Sequence, residues 1–383
     1  MKRTLSHVLI VCGVAIVVLA LALPFFLVPA MKVLPLDTVS QSETREAEAK
    51  LLDASALASG KPLDIHKDKP ECKPKDKKKE PALSCFMGPT DVKAIRYVTM
   101  QAPADDKVVT FEAGQTLQRT DRQEPHSLVT ASVDRITLDR KTAFPVPEPT
   151  SSYEITAPAT GNQPAETPQF TRDGYQYQFS FGTDKKSYPY FDVYALESKP
   201  IDFVAEEEQE GVKVYKFHQT VGPVSLHDSI TRMATSHGVH DLSEGHKQVL
   251  ASMRLKFPAY RWGLEGDEDV SMDRYYYTER TLRVEPSTGM ITNGTEKIFQ
   301  FYAKDQEEAE YIVGPGREEE NNNPKRTATN FTGQWNDETM HKQLTKAKEK
   351  KRSMDLAAGV APWILGVVGV VLAVLGIRLH RNS

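Results

Sequence analysis

Charge is missing from two long stretches of this chain, and cysteine is nearly missing everywhere, with 3 in 383 residues. From Val8 to Ala30, and again from Leu356 to Ile377, no side chain is charged. Each run reaches the roughly 20 apolar residues that a helix needs to cross about 30 Å of hydrocarbon. A backbone in lipid must satisfy its own amides, which an α-helix does. Both runs are therefore read as spanning helices. The first is too long for a signal-peptide h-region of about 7 to 15 residues, and Val28-Pro29-Ala30 is a poor cleavage context.

Motifs are missing too. The sequence contains no Cys-x-x-Cys, no His-Glu-x-x-His, no nucleophile elbow, no phosphate loop and no dinucleotide fingerprint. His237, His240 and His246, with Asp241 and Glu244 nearby, match no metal-ligand spacing. The acidic group Asp267, Glu268, Asp269 and Asp273 lacks the central glycine of a calcium loop and reads as a solvated turn. The sequence thus predicts a protein that is not an enzyme, with no cofactor, no metal and no nucleic-acid partner.

What is present divides the chain into residues 1–7, a span at 8–30, a domain at 31–355, a span at 356–377 and residues 378–383. Lys2 and Arg3 precede the first span and only Lys32 follows it closely, which places the amino terminus inside. Two spans then return the carboxyl terminus to the same side, where Arg378 and Arg381 agree. The expectation is a two-pass plasma-membrane protein with both termini cytoplasmic and the large domain on the periplasmic side. Cys12 lies in the first span, so Cys72 and Cys85 are the domain's two thiols. In an oxidising compartment they are expected to pair, stabilising the short loop by about 3 kcal/mol; two unpaired thiols are the alternative.

Within the domain, residues 61–82, 145–171 and 314–326 are polar or proline-rich and read as loops. Between them the apolar pattern has period two, clearest at Tyr175, Tyr177, Phe179 and Phe181, with further runs at 94–101, 128–138, 212–221, 275–284 and 297–303. Strands with one apolar face belong to antiparallel sheets. The fold class is mostly β (α+β), an antiparallel sheet with a few helices between the spanning segments. Helical patterning is confined to 225–253, broken near Gly238, and to a stretch from Asp337 into the second span. Leu138–Ala143 and Val284–Gly289 look alike as hairpin turns.

Two candidate sites follow. Tyr175, Tyr177, Phe179 and Phe181 form a candidate lipid-facing strand, with ordinary core packing as the alternative. Lys346, Lys348, Lys350, Lys351 and Arg352, just ahead of the second span, form a candidate headgroup-binding cluster, or else a solvated stalk face. Gly359, Gly366 and Ala373, with Gly369 and Gly376, recur at seven-residue spacing and allow a close helix partner, for which Gly13 and Ala20 are candidates.

The segment from Phe179 through Gly182-Thr183-Asp184-Lys185-Lys186-Ser187-Tyr188-Pro189-Tyr190-Phe191 to Asp192 resembles the signature of an actinobacterial two-span envelope family labelled porin PorA-like. Val212–Val221, Glu279–Gly289 and the two-anchor layout extend the resemblance. It implies work on a mycolic-acid-containing envelope, in mycolate glycolipid trafficking and in lipomannan and lipoarabinomannan maturation. The resulting expectation is a non-enzymatic envelope-biogenesis factor that binds or hands over lipid or glycolipid, or docks with a lipid transporter or glycosyltransferase complex. A glycan-processing enzyme and a structural or signalling scaffold are the alternatives.

Overall fold

The structure, a computed structural model, describes residues 2–37, 39–74, 79–124, 126–156, 164–235 and 242–381. In chain order its elements begin with α1 (Lys2–Met31), β1 (Ser40–Glu43), β2 (Ala47–Leu52), α2 (Ala54–Ser59), β3 (Met87–Ala104), β4 (Val108–Arg119), β5 (Leu128–Asp139), β6 (Ser152–Thr156) and β7 (Ala165–Glu166). They continue with β8 (Tyr188–Asp192), β9 (Glu197–Gln209), β10 (Val212–Ser225), α3 (Leu226–Ala234), α4 (Glu244–Met253), β11 (Arg254–Pro258), β12 (Asp269–Glu285) and β13 (Met290–Ala303). The last are α5 (Gln306–Val313), α6 (Arg317–Asn322), β14 (Thr327–Gln334), α7 (Asp337–Asp355) and α8 (Ala361–Arg381).

The strands form one 14-stranded sheet in the order β7-β6-β5-β4-β3-β2-β14-β13-β12-β10-β9-β8, with β1 on β3 and β11 on β12. Its strand pairs are antiparallel. The reason is visible along β12, where Tyr276, Thr278, Arg280, Leu282 and Val284 are buried and the residues between them are not. One face is covered and the other wet, as period two requires. The outer face carries charged pairs such as Glu207–Arg283, Glu279–Lys297 and Lys185–Glu206. Such a surface does not suit a lipid-facing barrel wall, and among the described residues the long exposed apolar stretches are on α1 and α8.

The sheet curls into a half-barrel, and the chain from Phe170 to Tyr190 spans its gap. Phe170 bridges to Ser151 beside β6, and Tyr175 bridges to Tyr190 in β8. Across the seam the Phe170 and Phe191 rings lie 5.9 Å apart, with the Arg172 guanidinium 4.0 Å over Phe191. Helices α3 and α4 fill one end, contributing Leu226, Ile230, Val249, Leu250 and Met253 to the core that Leu51, Val92, Leu117 and Phe331 supply from the strands.

Four expectations need correction, one being the confinement of helices to two stretches, since α2 and α5 lie outside both. The run Tyr175–Phe181 is not a regular strand. Tyr177 has φ of 65° and the Gln178 amide donates to the Gln176 carbonyl at 2.8 Å, a γ-turn that reverses the chain. The stretch 145–171 is not all loop, since it supplies β6 and β7, and 314–326 contains α6. Gly238, the expected break between α3 and α4, lies outside the described residues. The two similar turns do share their chemistry. The Asp139 carboxylate accepts from the Thr142 amide and the Glu285 carboxylate from the Thr288 amide, both at 2.8 Å, and Ala143 and Gly289 have φ of 57° and 70°. The sulfurs of Cys72 and Cys85 are bonded, over residues packed with Ala82 and Phe86.

At the ends, α1 and α8 pack directly on one another, and α7 joins α8 through a π-helical turn at Leu356–Val360. Small residues let the backbones touch: a Cβ on Gly369 would lie 2.7 Å from the Gly13 carbonyl oxygen and 2.9 Å from the Val17 nitrogen. The Ser6 hydroxyl donates to the Gly376 carbonyl at 2.8 Å. Gly369→Leu should therefore destabilise the helix pair by about 1–3 kcal/mol. Gly359→Leu, where a Cβ meets nothing within 4 Å, should be neutral. Thermal unfolding in detergent compares the two, and equal melting temperatures would refute the close packing.

Candidate functional site

The inner surface of the half-barrel is not wholly apolar. Register sets Gln219 of β10 opposite Arg280 of β12, and Arg280 opposite Glu296 of β13, so the three make one polar row across adjoining strands. Arg280 donates to Gln219 Oε1 and Glu296 Oε1 at 2.5 Å each, and to Asp192 Oδ2 at 2.8 Å. The Tyr276 hydroxyl donates to the same Asp192 oxygen at 3.1 Å, and the Tyr194 and Ala195 amides reach Asp192 Oδ1 at 2.9 Å. Asp192 is fully buried. Burial pulls the Arg280 guanidinium down, but the Glu296 and Asp192 carboxylates outweigh it and hold its pKa well above the ordinary value. Burial pushes the Tyr276 phenol well above its usual range.

Beside this row lies a cavity of about 210 Å³, and a second of about 380 Å³ lies at the end of the domain nearest the helices. Ser42, Arg96, Ile291 and Trp335 line both, so the two adjoin. Arg96 faces Gln115 across β3 and β4 and donates to its side-chain oxygen at 3.0 and 2.8 Å. The outer cavity, or mouth, has apolar walls of Val98, Phe111, Phe181 and Trp335, with Asp37, Lys346 and Lys350 at its rim.

The aromatic set from the sequence is thereby divided. Phe179 is fully buried, and Tyr175 stacks on it with ring centroids 5.7 Å apart. The Tyr177 hydroxyl donates to Asp134 at 2.5 Å, where Arg172 makes a two-pronged buried pair at 2.6 and 3.0 Å. Tyr177 and Phe181 line the mouth. The basic cluster divides as well. Lys346 and Lys350, one helical turn apart, turn to the mouth, whereas Lys348 donates to the Glu210 carbonyl at 2.8 Å, Lys351 pairs with Asp355, and Arg352 is exposed. Burial lowers the Lys350 pKa, with nearby Arg140 adding to the effect.

Sequence reasoning missed Asp192, Arg280, Glu296 and Arg96. A signal existed for Arg280, a charged residue at an inward position of an apolar alternation; none existed for Asp192, which meets it from 88 residues away. As for metals, His237, His240 and Asp241 lie outside the described residues. The carboxylates of Asp228 and Asp273 lie with His227 in a group of ligand type, but the Arg254 guanidinium already sits between them, 2.7 Å from Asp273 and 3.7 Å from Asp228. Asp267 and Asp269 pair with Lys79 and Lys256.

An antiparallel half-barrel with charged pairs on its outer face and an internal polar row, carried between two apolar helices, defines the class. The chain matches the porin PorA family over residues 5–378 and belongs to it. A protein named porin PorA from Corynebacterium amycolatum is 49% identical over 387 residues, covering 100% of both chains. Another of that name from Corynebacterium resistens is 48% identical over 403 residues, covering 98% of this chain and 96% of its own.

These relatives overturn part of the sequence reading. A family of porins does not fit an envelope-biogenesis factor handling glycolipid, nor a glycan-processing enzyme or a scaffold, and the mycolate and lipoglycan roles go with that reading. The assignment as a two-pass plasma-membrane protein with a periplasmic domain is corrected on the same finding together with the half-barrel sheet.

Proposed function

We propose that this chain is a channel-forming protein of an outer envelope membrane, with no enzymatic step, that passes small polar solutes. The observation that carries the reading is the full-length match to relatives named porin. The geometry supports it with two adjoining cavities, the mouth and the one beside the polar row, that share Arg96 as a lining residue. Two helices packed through Gly13 and Gly369 enclose no lumen between them. The pore therefore takes several copies of the chain, each contributing a helix pair to the wall and a half-barrel as vestibule.

Full-length protein added to a planar lipid bilayer should produce stepwise conductance increases, and envelope fractionation should recover the chain with the outer membrane. A silent bilayer, at protein levels where a porin of known activity conducts, would overturn the channel. Recovery with a plasma-membrane marker would overturn the location.

A further inference from the structure

We infer that the mouth is a binding site for a small organic anion, one phosphate or carboxylate on a flat apolar body. The inference names the solute class of the proposed channel and rests on that reading only for its purpose; the binding stands on the geometry below.

Three cations line this cavity, Arg96, Lys346 and Lys350, against one carboxylate, Asp37, among the described lining residues. None of the three cations has a carboxylate within ion-pairing distance among the described residues. Arg96 spends its hydrogen bonds on the neutral Gln115 amide, Lys346 reaches only the Val39 carbonyl at 3.5 Å, and Lys350 only the Val33 carbonyl at 3.3 Å. By contrast the buried Arg280 holds Asp192 and Glu296, and the buried Arg172 holds Asp134, in a molecule whose net charge is −4. Three cations against one carboxylate in a partly enclosed space set up a positive potential that an anion relieves, and low-dielectric walls strengthen it.

The walls specify the rest of the ligand. Val98, Phe111, Phe181, Ile291 and Trp335 are apolar, and their cavity of about 380 Å³ falls in the range of about 300–1,000 Å³ of small-molecule sites. The Lys350 ammonium lies 5.4 Å from the Phe181 ring centroid, so charge and aromatic surface meet at the rim. An inorganic anion would leave those walls wet, and a neutral aromatic would leave the cations unpaired. A molecule carrying both groups satisfies both.

The test uses the full chain in phosphatidylcholine nanodiscs and 1-naphthyl phosphate as probe, read by equilibrium dialysis. The probe should bind, with inorganic phosphate and 1-naphthol each at least about tenfold weaker. Arg96→Gln and the double change Lys346→Gln, Lys350→Gln should each weaken binding about tenfold or more, charge-assisted contacts being the strong ones. Lys348→Gln, whose side chain points away from the mouth, should change nothing. If Arg96→Gln lowers the melting temperature, the lysine pair carries the test. Equal binding by every variant, or naphthol binding as tightly as its phosphate, overturns the site. Loss of probe binding when phosphatidylglycerol is added to the nanodiscs shows that a lipid headgroup fills the mouth and overturns the soluble ligand. No current is measured, so a chain that conducts without binding loses only this inference, and one that binds without conducting loses only the channel.

Discussion

Asp192→Ala is expected to destabilise the domain by about 3–5 kcal/mol, the usual loss when one member of a buried ion pair is removed. Asp192 is fully buried and serves three groups at once: the Arg280 guanidinium at 2.8 Å, the Tyr276 hydroxyl at 3.1 Å, and the turn amides of Tyr194 and Ala195. Alanine leaves the Tyr276 hydroxyl and the turn amides without this acceptor, and Arg280 with Glu296 and Gln219. Asp192→Asn keeps an acceptor for the turn and should lose less, which separates the charge from the cap. Urea unfolding of the full chain in detergent reads both. A loss below about 1 kcal/mol for the alanine variant would mean that water replaces the carboxylate, and that the polar row is not a buried network.

Phe179→Ala should be of similar size, about 3–5 kcal/mol. Its ring is fully buried, with the ring centroids of Tyr175, Tyr188, Tyr190 and Phe217 at 5.7, 5.6, 5.7 and 5.1 Å. Truncation leaves a hole that four rigid neighbours cannot close. Phe181→Ala, two residues on, removes a side chain from the wall of an existing cavity and should cost under about 1 kcal/mol. Thermal melts of the two variants side by side decide it: equal losses would put both residues in one environment and contradict the division of the aromatic set.

That division shows where the sequence was legible and where it was not. Alternation holds where one strand face meets the core and the other meets water, and it found β10, β12 and β13, though β12 begins at Asp269 and β13 at Met290, well before the expected 275 and 297. It failed at Tyr175–Phe181, where the aromatic residues obey period two for another reason: the segment crosses a seam, and successive rings serve the core, the Asp134 pair and the mouth in turn. Short β6 and β7 pair with their neighbours in sequence, but five and two residues within a proline- and threonine-rich stretch are too few to show an alternation. The basic cluster was legible as a group but not as two faces, although the i, i+4 spacing of Lys346 and Lys350 already sets them apart from Lys348 and Lys351. The ion network around Asp192 could not be read at all, since its members come from four separate strands and the approach of β8 to β12 is a product of sheet curvature.

Helix α7 enters α8 through the π-helical turn at Leu356–Val360, with Pro362 in the first turn of α8, and its Leu344 is buried with Val212 and Val214 of β10. The half-barrel is thus packed against α7 and not hung from a tether. Lys350 precedes Leu356 by six positions, which at about 1.5 Å per residue fixes it about 9 Å above the start of the apolar run. The polar layer on each side of a bilayer is about 5–8 Å deep. If the apolar run spans a bilayer, as the proposed channel requires, the opening stands just clear of the headgroups and a solute would enter it sideways along the membrane surface.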